Sequence, residues 1–115
     1  MLEDSISVPI LVGSVFLFAG LLMFVFPPKK INYLYGYRTS SSMQNIERWN
    51  FAQKLSSKLM VICGILLLVT GFIGLILFPD QTAINIVGII ESILLTLFLF
   101  IKTEIDLKKK FGKTL

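Results

Sequence analysis

Three long apolar blocks divide the chain. The first covers residues 6–26 and the second residues 59–78, both without a charge, while the third covers residues 83–101 and contains only Glu91. As α-helices, these blocks would each be about 28–32 Å long, which matches a hydrocarbon core of about 30 Å. Because a segment in lipid must satisfy its own backbone hydrogen bonds, the pattern predicts three transmembrane helices in an all-α membrane protein.

Glu91 affects both insertion and function. The third block holds thirteen Ile, Leu, Val or Phe residues; each contributes roughly −0.3 to −0.6 kcal/mol near the bilayer centre, whereas a central acid costs roughly 2.5–3.5 kcal/mol. We therefore expect the third block to insert into the membrane despite Glu91. An intramembrane acid should face the bundle interior or a wet cavity and be protonated or paired, as an ion or ligand site, a structural group or an oligomer contact. The candidate partners are Ser14, Thr70, Asn85 and Ser92, or a basic residue reaching in from the loop, for which Arg38 is the best candidate.

The basic residues predict the orientation. Six of the eleven lie in the loop of residues 27–58 and five follow the third block, whereas the leading residues Glu3 and Asp4 are acidic. By the positive-inside rule, the loop and the C-terminus face the cytoplasm and the N-terminus lies outside. The acidic start also argues against a cleavable signal peptide. The net charge of +4 is thus a signal of topology and of contact with the lipid bilayer, and direct nucleic-acid binding is not expected.

Small residues recur inside the blocks at helical spacing and predict close contacts between helices. The short turn at residues 78–81 predicts that the second and third helices are antiparallel neighbours, and the third helix is expected to continue beyond Ile101. At 115 residues the chain has room for a single domain, residues 1–115. The small residues are Gly13, Gly20, Gly64, Gly71, Gly74, Gly88, Ser92 and Thr96.

The loop contains all three tyrosines, at alternate positions. In an extended segment Tyr33, Tyr35 and Tyr37 would point to one side, either as an aromatic belt at the membrane interface or as the wall of a binding site. Pro27 and Pro28 should end the first helix before this segment.

The second half of the loop predicts a short amphipathic helix at the inner membrane surface. Ser41 and Gln44 fit a capping box, and apolar residues then recur near one face. This helix either stands alone or continues directly into the second span. The residues of its apolar face are Met43, Ile46, Trp49 and Ala52.

The composition argues against several classes of function. The chain has no histidine and one cysteine, Cys63, inside the second span. A disulfide within the chain is therefore impossible, and we expect neither a metal site nor a cofactor. Without histidine, general acid–base chemistry also has few candidates, so an enzyme is not expected.

Distinctive residues in the loop follow a pattern that resembles the SdpI family of bacterial membrane proteins. The family pattern is N-x-x-x-G-x-R-T and then, after a short gap, W-x-x-A-N-[KR]. Two positions depart from it, since Gln53 stands where Asn or His is usual and Ser57 where Gly is common. The resemblance covers residues 27–60 by motif and the whole chain by span layout, as for a short three-span member. The matching residues are Asn32, Gly36, Arg38, Thr39, Trp49, Ala52 and Lys54.

The resemblance implies a non-enzymatic protein of the bacterial cytoplasmic membrane that confers immunity to, or senses, a membrane-active peptide toxin. In the signalling version, it would hold a transcriptional repressor at the membrane. The loop would carry the binding site, with Asn32, Tyr35, Gly36, Arg38, Thr39 and Trp49 as its residues. The alternative is a small transporter or ion pathway in a homo-oligomer, with Glu91 as the coupling residue and Asn85 and Ser92 as polar neighbours.

Overall fold

The computed structural model describes residues 7–78 and 80–112. Four features of the sequence predictions therefore lie outside the described residues. They are the acidic start at Glu3 and Asp4, the predicted first residue of the first span (Ile6), the proline of the predicted turn (Pro79) and one basic residue of the C-terminus (Lys113).

Three helices form the described part of the chain, which contains no strand. They are α1 (Val8–Val25), α2 (Ile46–Leu77) and α3 (Gln81–Phe111), and each is long and apolar enough to cross a membrane. The bundle is 50 Å long, compared with about 40–45 Å for a bilayer including its headgroups. The predicted all-α membrane fold is confirmed.

The amphipathic segment of the loop forms the first turns of α2. Of the two predicted arrangements, the structure therefore has the one in which this helix continues directly into the second span. The predicted start at Ser41 is wrong, because α2 begins at Ile46 and is capped by Asn45, whose Oδ1 accepts a hydrogen bond from Arg48 N at 2.8 Å. Ser41 is used elsewhere, as described below. Of the predicted apolar face, Trp49 and Ala52 are fully buried, whereas Ile46 is exposed.

The turn between α2 and α3 is as short as predicted. Helix α2 ends at Leu77 and α3 begins at Gln81, and the side chain of Asp80 caps α3 by accepting from Thr82 N at 3.0 Å. The two helices are therefore antiparallel neighbours. As predicted, α3 continues past Ile101, and its last turns stand beside the first turns of α2.

Glycines allow the helices to approach closely, as their spacing predicted. A Cβ on Gly13 would lie 2.9 Å from the Gly64 carbonyl oxygen, and one on Gly88 would lie 2.9 Å from Pro9 N. Helix α1 packs mainly on α2. The hydroxyl of Ser92 donates to Gly88 O within α3, at 2.6 Å.

Large apolar side chains cover much of the outer surface. Phe18 is 70% exposed and Ile76 is 81% exposed, which would be costly in water but is favourable against lipid tails. The residues between α1 and α2 do not cross the bundle and instead fold against its end, together with the first turns of α2 and the last turns of α3. We call this the loop end of the bundle.

Candidate functional site

Asn32 organises the start of the loop. Its Oδ1 accepts hydrogen bonds from the backbone N–H groups of Leu34 at 2.9 Å and Tyr35 at 2.8 Å, and its Nδ2 donates to Lys30 O at 2.8 Å. This Asx turn replaces the backbone pairing that an irregular segment lacks. Asn32 is therefore engaged within the loop itself.

The three tyrosines point into different environments, so the prediction of one aromatic side is wrong. Tyr33 is 82% exposed, Tyr35 donates to Phe26 O at 2.6 Å at the end of α1, and Tyr37 is buried. The alternation rule needs an extended chain. The turn at Asn32 and the positive φ of Gly36 interrupt that extension.

Gly36 is required both by backbone conformation and by space. Its φ is 104°, and a Cβ there would lie 2.5 Å from Gln53 Oε1 and 2.7 Å from Pro28 Cγ. The Gln53 amide lies this close to Gly36 because it forms two hydrogen bonds with the backbone of Tyr37, the residue that follows Gly36. It accepts from Tyr37 N and donates to Tyr37 O, each at 2.7 Å.

Glu104 on α3 holds the middle of the loop. It accepts hydrogen bonds from Tyr37 OH at 2.6 Å, from Thr39 Oγ1 at 2.9 Å and from Ser41 Oγ. Burial favours a raised pKa for Glu104, but the hydrogen bonds from Ser41, Tyr37 and Thr39 and the positive charge of Arg48 bring its pKa below the ordinary value. The carboxylate is thus held ionised and accepts from three loop hydroxyls.

Burial and the same carboxylate act together on Tyr37. Burial is the larger cause and Glu104 the second, and both raise the pKa of Tyr37 above its ordinary value. The phenol therefore stays protonated and serves as a donor. Its ring also packs on Phe100, with ring centroids 5.3 Å apart.

Arg48 completes this cluster from α2. It is only 3% exposed, donates from Nε to Ser41 O at 2.7 Å and from Nη1 to Gly112 O at 3.3 Å, and lies 5.6 Å from the centroid of the Phe111 ring. Arg48 therefore links the loop to the end of α3. We name the set Tyr37, Thr39, Ser41, Arg48 and Glu104 the loop clamp.

Trp49 lies beneath the loop. It is 0% exposed, and its Nε1 donates to Pro28 O at 2.6 Å. The sequence prediction assigned Trp49 to the attachment of an interfacial helix, but the ring is enclosed by protein and fixes the chain where it leaves α1.

Arg38 is exposed at the rim of an apolar cleft. The cleft has a volume of about 210 Å³ and reaches between the three helices below the loop. Arg38 also donates to Tyr33 O. The lining residues are Phe16 and Met23 of α1, Ser56 and Met60 of α2, Thr96, Leu99 and Phe100 of α3, and Gly36, Tyr37 and Arg38 of the loop.

Glu91 is remote from this arrangement, and Arg38 is not its partner. Glu91 Oε2 accepts from Thr70 Oγ1 at 3.0 Å, so the partner is Thr70, one of the other candidates. Its Oε1 is buried and has no hydrogen-bond partner among the described residues. Asn85 instead accepts from Val8 N at 2.9 Å, near the opposite end of the bundle.

The structure thus brings together Asn32, Tyr35, Gly36 and Thr39 in the folded loop, with Trp49 of α2 beneath it and Arg38 at its edge. Sequence reasoning missed the loop clamp residues on the helices. One signal could have indicated them: Leu99, Thr103 and Leu107 recur at four-residue spacing across the charged tail, and all three are buried.

Comparison with known proteins agrees with the loop motif. The model of the SdpI/YfhL protein family matches residues 29–102. The protein YfhL of Bacillus subtilis (strain 168), described as uncharacterized, is 38% identical over 96 residues, which is 84% of this chain and 82% of the relative. The comparison with solved structures found no match.

Proposed function

Since the chain belongs to the SdpI/YfhL family, we propose that it binds a membrane-active peptide toxin and thereby confers immunity to it or senses it. In this proposal the protein is a single domain of the bacterial cytoplasmic membrane, without enzymatic activity. The loop end faces the cytoplasm and the N-terminus lies outside. In a sensing role, the basic loop end would also recruit a transcriptional repressor.

The cleft under Arg38 is the observation that carries this proposal. It joins an apolar lining from all three helices to one exposed guanidinium at the loop end. At about 210 Å³, it is smaller than the roughly 300–1,000 Å³ of most small-molecule sites. It would accept the apolar end of a longer ligand rather than a whole one. A membrane peptide with a carboxylate at that end fits, because arginine binds carboxylates through paired hydrogen bonds.

The distribution of charge supports the proposed orientation. The described basic residues all belong to the loop end, whereas Asp80 is the one charged residue described at the opposite turn. Positive residues next to spans remain in the cytoplasm. A reporter fused within residues 32–49 tests this, and labelling from outside the cell would contradict it.

Arg38→Ala is expected to abolish protection with little loss of stability, because the side chain is exposed and bonds one backbone carbonyl. A deletion strain should become more sensitive to a membrane-active peptide from a tested panel, and the wild-type gene should restore growth. Loss of a charge-assisted hydrogen bond of about 1.5–3 kcal/mol predicts peptide binding at least roughly tenfold weaker. The measurements are growth inhibition and peptide binding to the purified protein.

Lys29→Ala is the matched control, because it removes one exposed positive charge from the same loop without touching the cleft. It should restore growth as the wild type does. Unchanged sensitivity of the deletion strain across the panel, or full rescue by Arg38→Ala, would contradict the proposal.

The second candidate is an ion or proton pathway in a homo-oligomer, and it is favoured by the half-satisfied carboxyl of Glu91. An uncompensated polar atom in a span is costly and commonly functional. Thr70 on α2 would be its polar neighbour, whereas the predicted neighbours Asn85 and Ser92 bond to Val8 N and Gly88 O instead.

Glu91→Gln distinguishes the two functions. We expect this variant to retain peptide protection, since Glu91 does not line the cleft. An ion pathway would instead lose flux in proteoliposomes with Glu91→Gln and keep it with Arg38→Ala. Loss of protection with Glu91→Gln in a correctly folded protein would favour the second candidate over the first.

A further inference from the structure

A second cavity lies at the loop end, and it is lined by lysines from two helices. Lys54 and Lys58 of α2 and Lys110 of α3 surround a space of about 340 Å³, with Phe51 and Leu55 as its apolar lining. The peptide cleft shares none of these residues. Lys54 and Lys58 are one helical turn apart, so both lie on the same face of α2.

Aromatic rings hold Lys110 at this cavity. Its ammonium lies 5.2 Å from the centroid of the Phe51 ring and 5.8 Å from that of Phe111, which is within the range of cation–π attraction. The acidic residue one turn earlier, Asp106, is paired with Lys102 at 3.2 Å. Lys110 is thus directed toward α2 and not toward the carboxylate on its own helix.

The three ammonium groups form an uncompensated cluster within residues 7–78 and 80–112. None of them makes a hydrogen bond or an ion pair with a described carboxylate. Like charges one helical turn apart repel one another. An anion in the cavity would offset this repulsion, because it attracts all three ammonium groups. Three lysines from two helices also provide hydrogen-bond donors on several sides of it.

The membrane side of the cavity, at Lys54 and Lys58, lies at the level of the headgroup layer of a bilayer. The apolar block of α2 begins at Leu59, so Lys58 lies at its edge and Lys54 about 6 Å above it. Side chains on helices lean toward the N-terminus, which directs Lys110 of the antiparallel α3 back toward the membrane. The headgroup layer extends about 5–7 Å beyond the hydrocarbon core on each side.

We propose that this cavity binds the phosphate of one anionic phospholipid. The lysines contact the phosphate, while Phe51 and Leu55 form an apolar wall of the cavity beside it and the acyl chains extend along the apolar block that begins at Leu59. This site is independent of the peptide cleft, so either assignment can fail alone. It also differs from a diffuse basic surface, because it requires three particular lysines and predicts one bound lipid per chain.

The test uses the purified full chain in neutral detergent with equimolar phosphatidylglycerol and phosphatidylcholine, followed by native mass spectrometry. We expect one phosphatidylglycerol to be retained in clear preference. Each lysine near an anionic surface contributes about fivefold in affinity, so the triple variant K54Q/K58Q/K110Q should lose at least roughly tenfold. The control K29Q/K30Q/K109Q removes the same charge from lysines that do not line the cavity and should retain the preference. An equal loss in both variants would overturn the site.

Two further arms separate the sources of the anion and guard against misfolding. Inorganic phosphate in millimolar excess should leave phosphatidylglycerol bound, because it lacks the apolar contacts; displacement at concentrations equal to those of the lipid would overturn the assignment to lipid. Lys110→Met keeps most of the apolar stem and removes one charge, so it should fold and bind the lipid about fivefold more weakly. Unchanged retention with Lys110→Met would also overturn the proposal.

Discussion

Gly64→Val is expected to separate α1 from α2 and to destabilise the protein by about 3 kcal/mol. A Cβ on Gly64 would lie 2.6 Å from Leu17 N and 2.8 Å from Gly13 O. Both are backbone atoms of α1, so they cannot rotate away as a side chain would, and the whole helix must move. In lipid, close packing is a main source of helix association, and its loss has no hydrophobic compensation.

The measurement is unfolding in mixed micelles of increasing sodium dodecyl sulfate, followed by the fluorescence of Trp49. This ring is fully buried under the loop, and it is the one tryptophan of the chain. Ala83→Val enlarges a side chain at an exposed position of α3 and should unfold like the wild type. A Gly64→Val protein that unfolds at the wild-type detergent fraction would show that α1 and α2 are not in close contact here.

The spans were predictable from sequence because the bilayer imposes a simple condition on them. A helix that crosses lipid satisfies its own backbone hydrogen bonds and needs about 20 apolar residues. Each of the three blocks has about that length and composition. The short connection after Leu77 then determines that α2 and α3 are antiparallel. Small residues indicated that contacts exist, but the partner of each, such as Gly64 with α1, depends on helix rotation, which composition does not determine.

The loop was predictable as a distinctive segment but not as a structure. Its motif identified the family, whereas the contacts that fold it join residues far apart in the chain, such as Thr39 and Glu104. Glu104 lies among lysines in the C-terminal tail, where a carboxylate normally indicates a solvated surface. Only the buried neighbours Thr103 and Leu107 indicate that this part of α3 faces protein.

The same reasoning explains the errors over Ser41 and Arg38. Ser41 has the spacing of a helix cap, but its hydroxyl donates to Glu104, and a charged acceptor is the stronger partner. Arg38 was one candidate partner for Glu91 because an intramembrane acid needs compensation, whereas Thr70 on the neighbouring helix, another of the candidates, supplies a hydrogen bond. In both cases, a residue outside the local sequence window provided the better partner.

Glu104→Ala is expected to detach the loop from α3 and to cost about 3 kcal/mol, taking about 1 kcal/mol for each of three hydrogen bonds at a partly buried carboxylate. Tyr37, Thr39 and Ser41 would lose their common acceptor, and buried Arg48 would lose a nearby negative charge. Backbone hydrogen exchange should become faster across residues 37–42, and the fluorescence of Trp49 should report unfolding at a lower fraction of sodium dodecyl sulfate. Because Tyr37 lines the peptide cleft, protection should be lost as well.

Acid provides an independent test of the loop clamp. The pKa of Glu104 is lower in the folded protein than its ordinary value of 4.5, so its stabilising effect is fully present above about pH 4.5 and is lost as the pH falls through the folded pKa. Glu104→Gln, which keeps an acceptor oxygen, should lose less stability than the alanine variant and should not show this acid-dependent loss. Asp106→Asn breaks one surface ion pair with Lys102 and should cost at most about 0.5 kcal/mol. If Asp106→Asn and Glu104→Ala expose the loop equally, the tail contributes through its overall charge, and Glu104 is not the residue that holds the loop.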